Sequence, residues 1–207
     1  SVVLDQLRGL LHDIQPSAVK TGMLASDDVL RSVSLGLWEL PETVPLVMDP
    51  VLAASDGTIF LEERAWPALR ELMQRTTLVT PNLTETRLLT GIDAATRAGS
   101  EAAARVFIED FGARAALVKG GHREGRPDDL LAIRSNGGIS FTWFETERIQ
   151  VGPVHGTGCA LAAAITAELA QGRELADAVA RGREFLMRAL RSAAPLGGGA
   201  HFLVYPE

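Results

Sequence analysis

Cysteine is almost missing from this sequence, with Cys159 the only one. A single cysteine excludes an internal disulfide and fits a reducing compartment, so a cytoplasmic setting is expected. Long apolar runs are missing as well. No stretch reaches the roughly 18–20 residues that a membrane-spanning helix needs, and the opening residues carry no secretory pattern, so no membrane partner is expected. Positive charge is in deficit: 20 Lys plus Arg against 26 Asp plus Glu leave a net charge of −6. That balance argues against nucleic acid as a partner. Lysine is the scarcest basic residue. Only Lys20 and Lys119 are lysine, and the other 18 basic side chains are arginine. In a composition biased toward Arg and Ala, a retained lysine reads as one that arginine's planar fork does not replace. The plainer reading is two surface lysines left by chance. The two common nucleotide signatures are also absent. No GxGxxG opens the first strand–helix unit, and no GxxxxGK[ST] occurs.

What is present is an ordinary globular composition, with 46% hydrophobic and 22% charged residues in 207, enough for one α/β domain over 1–207. Short apolar runs end in polar residues: Ala18-Val19 before Lys20, Pro45 to Met48 before Asp49, Thr77 to Val79 before Asn82, and Ala115 to Val118 before Lys119. Segments with helical spacing lie between them near 27–40, 60–75 and 99–111. Strands alternating with helices predict βαβ units and a mostly parallel sheet, and continuous apolar strands predict a sheet covered on both faces. Ligands of such sheets bind beyond the carboxyl ends of the strands, so Lys20, Asp49, Asn82, Glu85 and Lys119 are expected on one rim. Leu130 to Arg134 and Ile139 to Phe144 flank Ser135-Asn136-Gly137-Gly138, a hairpin signal. Asp128 and Asp129, just before it, read as solvated turn residues. Two helices are expected at about 157–171 and 174–193, and Gly197 to Gly199 is the only cluster with a flexible composition.

The richest stretch is Val154-His155-Gly156-Thr157-Gly158-Cys159, running directly into Ala160-Leu161-Ala162-Ala163-Ala164-Ile165. Glycines let several N–H groups converge, and the helix that follows adds its free N–H groups and the positive end of its dipole. Such a loop suits an anion, phosphate above all. The same field favours the thiolate of Cys159, which a bound triphosphate would oppose. Alone, the tetrapeptide fits a tight turn with a buried cysteine equally well.

Five motifs in order carry more. Lys20-Thr21-Gly22-Met23-Leu24, Met48-Asp49-Pro50-Val51, Thr80-Pro81-Asn82-Leu83-Thr84-Glu85, Val118-Lys119-Gly120-Gly121-His122 and His155-Gly156-Thr157-Gly158-Cys159 together closely resemble the hydroxymethylpyrimidine/phosphomethylpyrimidine kinases of thiamine biosynthesis, in the ribokinase-like superfamily. The resemblance runs from about residue 14 to the end. It implies a three-layer fold, ATP as phosphate donor, Mg2+, a small pyrimidine acceptor and a homodimer. By the same resemblance, Gly156, Thr157 and Gly158 form the hole for negative charge during transfer, and Cys159 takes the proton of the attacking hydroxymethyl group. Asn82 and Glu85 match an NxxE motif whose glutamate acts through magnesium and its waters, with Asp49 as the second acidic residue. Lys119 reaches the nucleotide phosphates, and Met23 lies against the pyrimidine ring or is a plain core methionine. His155 either tunes Cys159 or shapes the loop, and His122 reads as a loop residue. The family opens with a strand and a Gly-Ser-Asp segment that grips the acceptor, and nothing similar precedes Ser1, so an incomplete N-terminus is expected.

Three other readings stay open. A pyridoxal kinase of the same branch shares the cysteine loop and metal motif. A nucleotide- or vitamin-binding module would bind without turnover. A hydrolase using Cys159 and His155 lacks a third orienting group.

Overall fold

The computed structural model describes residues 1–53, 58–121, 123–195 and 197–205; His122 lies outside them. Six strands form the central sheet in the order β1 (Val19–Thr21), β2 (Leu46–Met48), β3 (Leu78–Val79), β4 (Ala115–Val118), β5 (Asp129–Ser135), β6 (Gly138–Phe144). The first four run parallel, and the β5–β6 hairpin adds two antiparallel strands. β2, β3 and β4 are apolar and buried throughout, as cover on both faces requires, whereas β1 at the edge carries Lys20 and Thr21.

Side-chain alternation divides the sheet between two helical layers. Leu46, Met48, Val79, Ala116, Val118 and Leu130 pack with α2 (Asp27–Trp38), α3 (Trp66–Met73), α4 (Leu83–Thr90) and α5 (Arg97–Glu109). Val47, Leu78, Ala115, Leu117 and Leu131 pack instead against α6 (Thr157–Ala170) and α7 (Leu175–Arg191). The expected three-layer ribokinase-like architecture is therefore present, with the N-terminal α1 (Val2–Asp13) laid against α2.

The sequence reading did not anticipate α1, α4 or a second small sheet. In that sheet β9 (His201–Phe202) pairs parallel with β7 (Val154–His155) and antiparallel with β8 (Ala194–Pro195). Two-residue strands leave no periodicity to read, and they pair only because the chain brings them together. The helix α4 is too short for a clear apolar stripe; its start is set by its cap, described below.

Candidate active site

Hydrogen bonds between successive strand ends bring the polar residues after β1, β2, β3 and β4 to one level. Asp49 N donates to Thr21 O at 3.0 Å, Thr80 N to Met48 O at 2.9 Å, and Lys119 N to Pro81 O at 2.9 Å. At this rim Asp49 is buried, 2% exposed. Its Oδ1 accepts from Thr80 Oγ1 at 2.9 Å and from Lys119 Nζ at 2.8 Å. Burial lowers the Lys119 pKa, but Asp49 and Glu85 outweigh it and the ammonium is held above its ordinary value. Lys119 is a fixed cation at physiological pH.

The glycine loop closes over this pair. Gly156 has φ +83°, in the left-handed region that a side chain disfavours, and caps the start of α6. A Cβ on Gly158 would stand 3.0 Å from Lys119 Nζ and 3.5 Å from Asp49 Oδ2. A side chain at this position would have to push the Lys119 ammonium aside by a few tenths of an ångström. Thr157 and Gly158 open the helix, whose free N–H groups face the same region.

Cys159 follows in that first turn and is exposed. The sequence reading set the helix N-terminus against a bound triphosphate and left the balance at this thiol open. Loss of solvent on its inner side pushes the thiol above its ordinary value; Lys20 and Lys119 oppose this, and Asp49 adds to it. Desolvation is the largest of these influences, and the buried Asp49 carboxylate, which the sequence reading had not set against the helix N-terminus, adds to it. His155 lies on β7, and the side-chain hydrogen bond of the Cys159 thiol is with Asp49. Met23 is 53% exposed just beyond β1, so it is not a core methionine.

Asn82 and Glu85 have a structural task of their own. Asn82 Oδ1 accepts from Glu85 N at 2.9 Å while Glu85 Oε2 accepts from Asn82 N at 2.7 Å. This reciprocal capping box starts α4. Glu85 is 5% exposed. Burial pushes its carboxyl up to about 7, against the pull of Lys119 and the N–H groups of Asn82 and Leu52, with Asp49 adding to the rise. No three His, Cys, Asp or Glu groups converge on a metal position among the described residues. The pair Asp49 and Glu85 fits a hydrated magnesium carried mostly by phosphate oxygens and water: Thr80 and Lys119 both bond Asp49 Oδ1, Oδ2 lies toward the glycine loop, and the Cys159 thiol is a further partner of this carboxylate.

Asp128 and Asp129 are not solvated turn residues. Asp128 is 6% exposed, accepts from Thr146 N at 3.2 Å and pairs with Arg97 at 3.3 Å and Arg126 at 3.4 Å. Asp129 Oδ1 accepts from Gly120 N at 2.7 Å, and its Oδ2 lies 3.2 Å from Arg183 Nε. Arg183, 8% exposed on α7, also donates to Phe144 O at 3.3 Å and Thr146 Oγ1 at 2.5 Å. These contacts bind α7 to the turn after Lys119. Beside them an open cleft of about 940 Å³ runs between the end of β6 and α7, lined by Phe144, Thr146, Arg148, Arg183, Met187 and Arg188. The sequence reading missed this cleft, because its walls come from segments more than 30 residues apart.

The family profile described as Phosphomethylpyrimidine kinase matches residues 1–204. The chain belongs to the phosphomethylpyrimidine kinase family. A hydroxymethylpyrimidine/phosphomethylpyrimidine kinase of Mycobacterium leprae is 41% identical over 201 residues, covering 96% of this chain and 72% of that relative. Among solved structures, an ADP complex of Bacillus subtilis pyridoxal kinase superposes with a TM-score of 0.84 at 29% identity, covering 97% of this chain and 74% of that one. A phosphomethylpyrimidine kinase from Clostridium difficile gives 0.76 at 28% identity, covering 90% and 74%. Members of this family are phosphotransferases, and the rim described above brings Lys119 and Asp49 to the N-terminus of α6.

Proposed function

We propose that this chain transfers the γ-phosphate of ATP to a hydroxymethylpyrimidine and to its monophosphate. The observation that carries the reading is the Asp49–Lys119 pair set 2.8 Å apart under the glycine-opened first turn of α6. It supports phosphoryl transfer because that chemistry depends on positioning and on charge stabilisation more than on covalent help from the protein.

In this reading Lys119 holds the donor phosphates, and Asp49 keeps its ammonium aimed at them. The N–H groups of Gly156, Thr157 and Gly158 take the charge that builds on the transferred group. Cys159 Sγ accepts the proton of the attacking hydroxyl, and Met23 packs against the acceptor ring. Asn82, besides capping α4, contacts the donor nucleotide, and the cleft beside Arg183 seats the nucleoside. Magnesium, held by Asp49 and Glu85 through water, would neutralise phosphate charge. The ADP carried by the Bacillus subtilis pyridoxal kinase structure supports an adenine nucleotide as donor.

A cytoplasmic setting is supported by the single cysteine, and no helix among the described residues is long and apolar enough to cross a membrane. Homodimer assembly is supported by Leu35 and Trp38, 57% and 47% exposed three residues apart on α2, apolar surface that a second copy would cover.

The test is an ADP-release assay with hydroxymethylpyrimidine, its monophosphate and pyridoxal. Turnover of the first two well above pyridoxal is expected. The high similarity to pyridoxal kinase structures makes the opposite preference the informative failure, and nucleotide binding without turnover of any of the three would overturn the enzymatic reading.

A further inference from the structure

Of the two lysines, one is accounted for and one is not. Lys119 is paired with Asp49. Among the described residues no ion pair or hydrogen bond engages Lys20, although its charge is the leading positive influence on Cys159. Register explains where it sits. Lys20 is the partner of Val47 on β2, and Val47 faces α6 and α7, so the lysine stem lies on the face of the sheet that carries α6. The side chain then runs past the strand end, with Nζ 2.9 Å from where a Cβ on Gly22 would stand. Its ammonium therefore reaches the rim beside the first turn of α6.

The two cations flank that turn from opposite sides. β1 and β4 are three strands apart in the sheet, which at about 4.8 Å per spacing separates the two backbones by about 14 Å. Lys119 lies on the side of Glu85, Asp129 and Arg183, and Lys20 on the side of the exposed Met23, while Cys159 feels both charges. A donor triphosphate on Lys119 leaves Lys20 uncompensated on the acceptor side.

We infer that Lys20 is the specificity-determining cation that lets this site take an acceptor already carrying a phosphate monoester. The inference rests on the proposed pyrimidine-kinase reading. The unphosphorylated acceptor is neutral at its hydroxymethyl group and needs a proton acceptor. The monoester carries about −1.5 to −2 charges near pH 7 and needs instead a cation that offsets its repulsion from the triphosphate. In that transfer an oxygen of the acceptor phosphate bonds to the γ-phosphorus of ATP. The bond from that phosphorus to the oxygen bridging to the β-phosphorus breaks, and ADP leaves with the electron pair. No oxidant or further reactant is needed. Lysine suits the task as a compact point charge between two phosphates, where a guanidinium fork asks for planar, two-point contact.

The experiment compares kcat/KM for hydroxymethylpyrimidine and for its monophosphate in wild type, Lys20→Met and Lys20→Arg, with thermal melting to establish folding. Lys20→Met is expected to lower the monophosphate-to-hydroxymethyl ratio by about 10- to 100-fold, the worth of one charge-assisted contact, mainly through KM of the monophosphate. Lys20→Arg is expected to recover part of the ratio. A ratio unchanged in a folded Lys20→Met, whether both acceptors fall together or neither falls, overturns the inference. Equilibrium binding of the monophosphate to Lys20→Met gives a second reading, and wild-type affinity there overturns it equally. If wild type turns over neither acceptor, the proposed function fails and this inference with it; wild type active on both with an unchanged ratio in the variant removes this inference alone.

Discussion

Cys159 stands where a helix N-terminus and two lysines favour a thiolate while desolvation and Asp49 oppose it, and the opposition prevails. A base held above its ordinary value works better as pH rises. If Sγ accepts the acceptor proton, turnover of the hydroxymethyl substrate is expected to climb through and above neutral pH. Cys159→Ala should lower kcat by about 10²–10⁴, and Cys159→Asp should keep part of the rate without the alkaline climb, with KM for ATP little changed in either. Near wild-type turnover in the alanine variant would remove the catalytic role. Glu85 makes a separate prediction at the same scale. Its carboxyl is raised by burial to about 7 from an unfolded value of 4.5, so the folded state keeps a proton that the unfolded state has lost. The stability this contributes is present below pH 4.5 and is lost as pH rises through 7, a loss of about 3 kcal/mol. In protein free of nucleotide and divalent ion, Glu85→Gln should flatten that decline in denaturant titrations run from pH 4.5 to 8. An identical pH profile in the variant would show that the carboxyl stays solvated. With ATP present, the same variant should weaken the magnesium dependence of turnover, and an unchanged magnesium titration would count against the metal role.

At the scale of elements, the seam between α6 and α7 fixes the loop that opens α6. A Cβ on Gly182 would stand 2.7 Å from Ile165 Cγ1 and 3.1 Å from the Ile165 backbone nitrogen. Gly182→Ala therefore has to push α7 away from α6. Overpacking of this kind costs about 1–3 kcal/mol, to be read as a lowered denaturation midpoint; unchanged stability would mean that the helices separate freely. The other tie of α7 is Arg183, whose contact with Asp129 continues through Gly120 N to the turn after Lys119. Burial raises the Asp129 carboxyl, with Arg183 the strongest opposing influence. Arg183→Met leaves that buried carboxylate without its partner, a change that typically costs about 3–5 kcal/mol. KM for ATP is expected to rise more than kcat falls, because the lysine turn loses its support while the glycine loop keeps its own. A fall in kcat with KM unchanged would break the link from α7 to nucleotide binding.

For the whole molecule, the exposed apolar side chains of α2 lead to a mass prediction: light scattering should give twice the chain mass at micromolar concentration. A monomer mass would remove the homodimer proposal.

The parallel strands, the hairpin, the two last helices and the membership of the rim were legible in the sequence. Apolar runs ending in Lys20, Asp49 and Lys119 carry their own register, and a turn such as Asn136-Gly137 is a local signal. Local signals also mark which residue types the site uses, down to the glycines that let α6 approach Lys119. The sequence did not decide the balance of forces on those residues. Whether Cys159 is raised or lowered depends first on how far the fold desolvates it, then on Lys20 and on Asp49, 110 positions earlier; Asp129 became a buried partner only when α7 brought Arg183 to it; and the lone charge of Lys20 is visible only because Lys119 takes the neighbouring carboxylate. Hydrophobic pattern and turn chemistry act over a few residues, so sequence alone determines elements and motifs. Desolvation and Coulomb interaction act through space between segments that only the packed fold brings together, so ionisation, pairing and the cleft along α7 were decided by the tertiary structure.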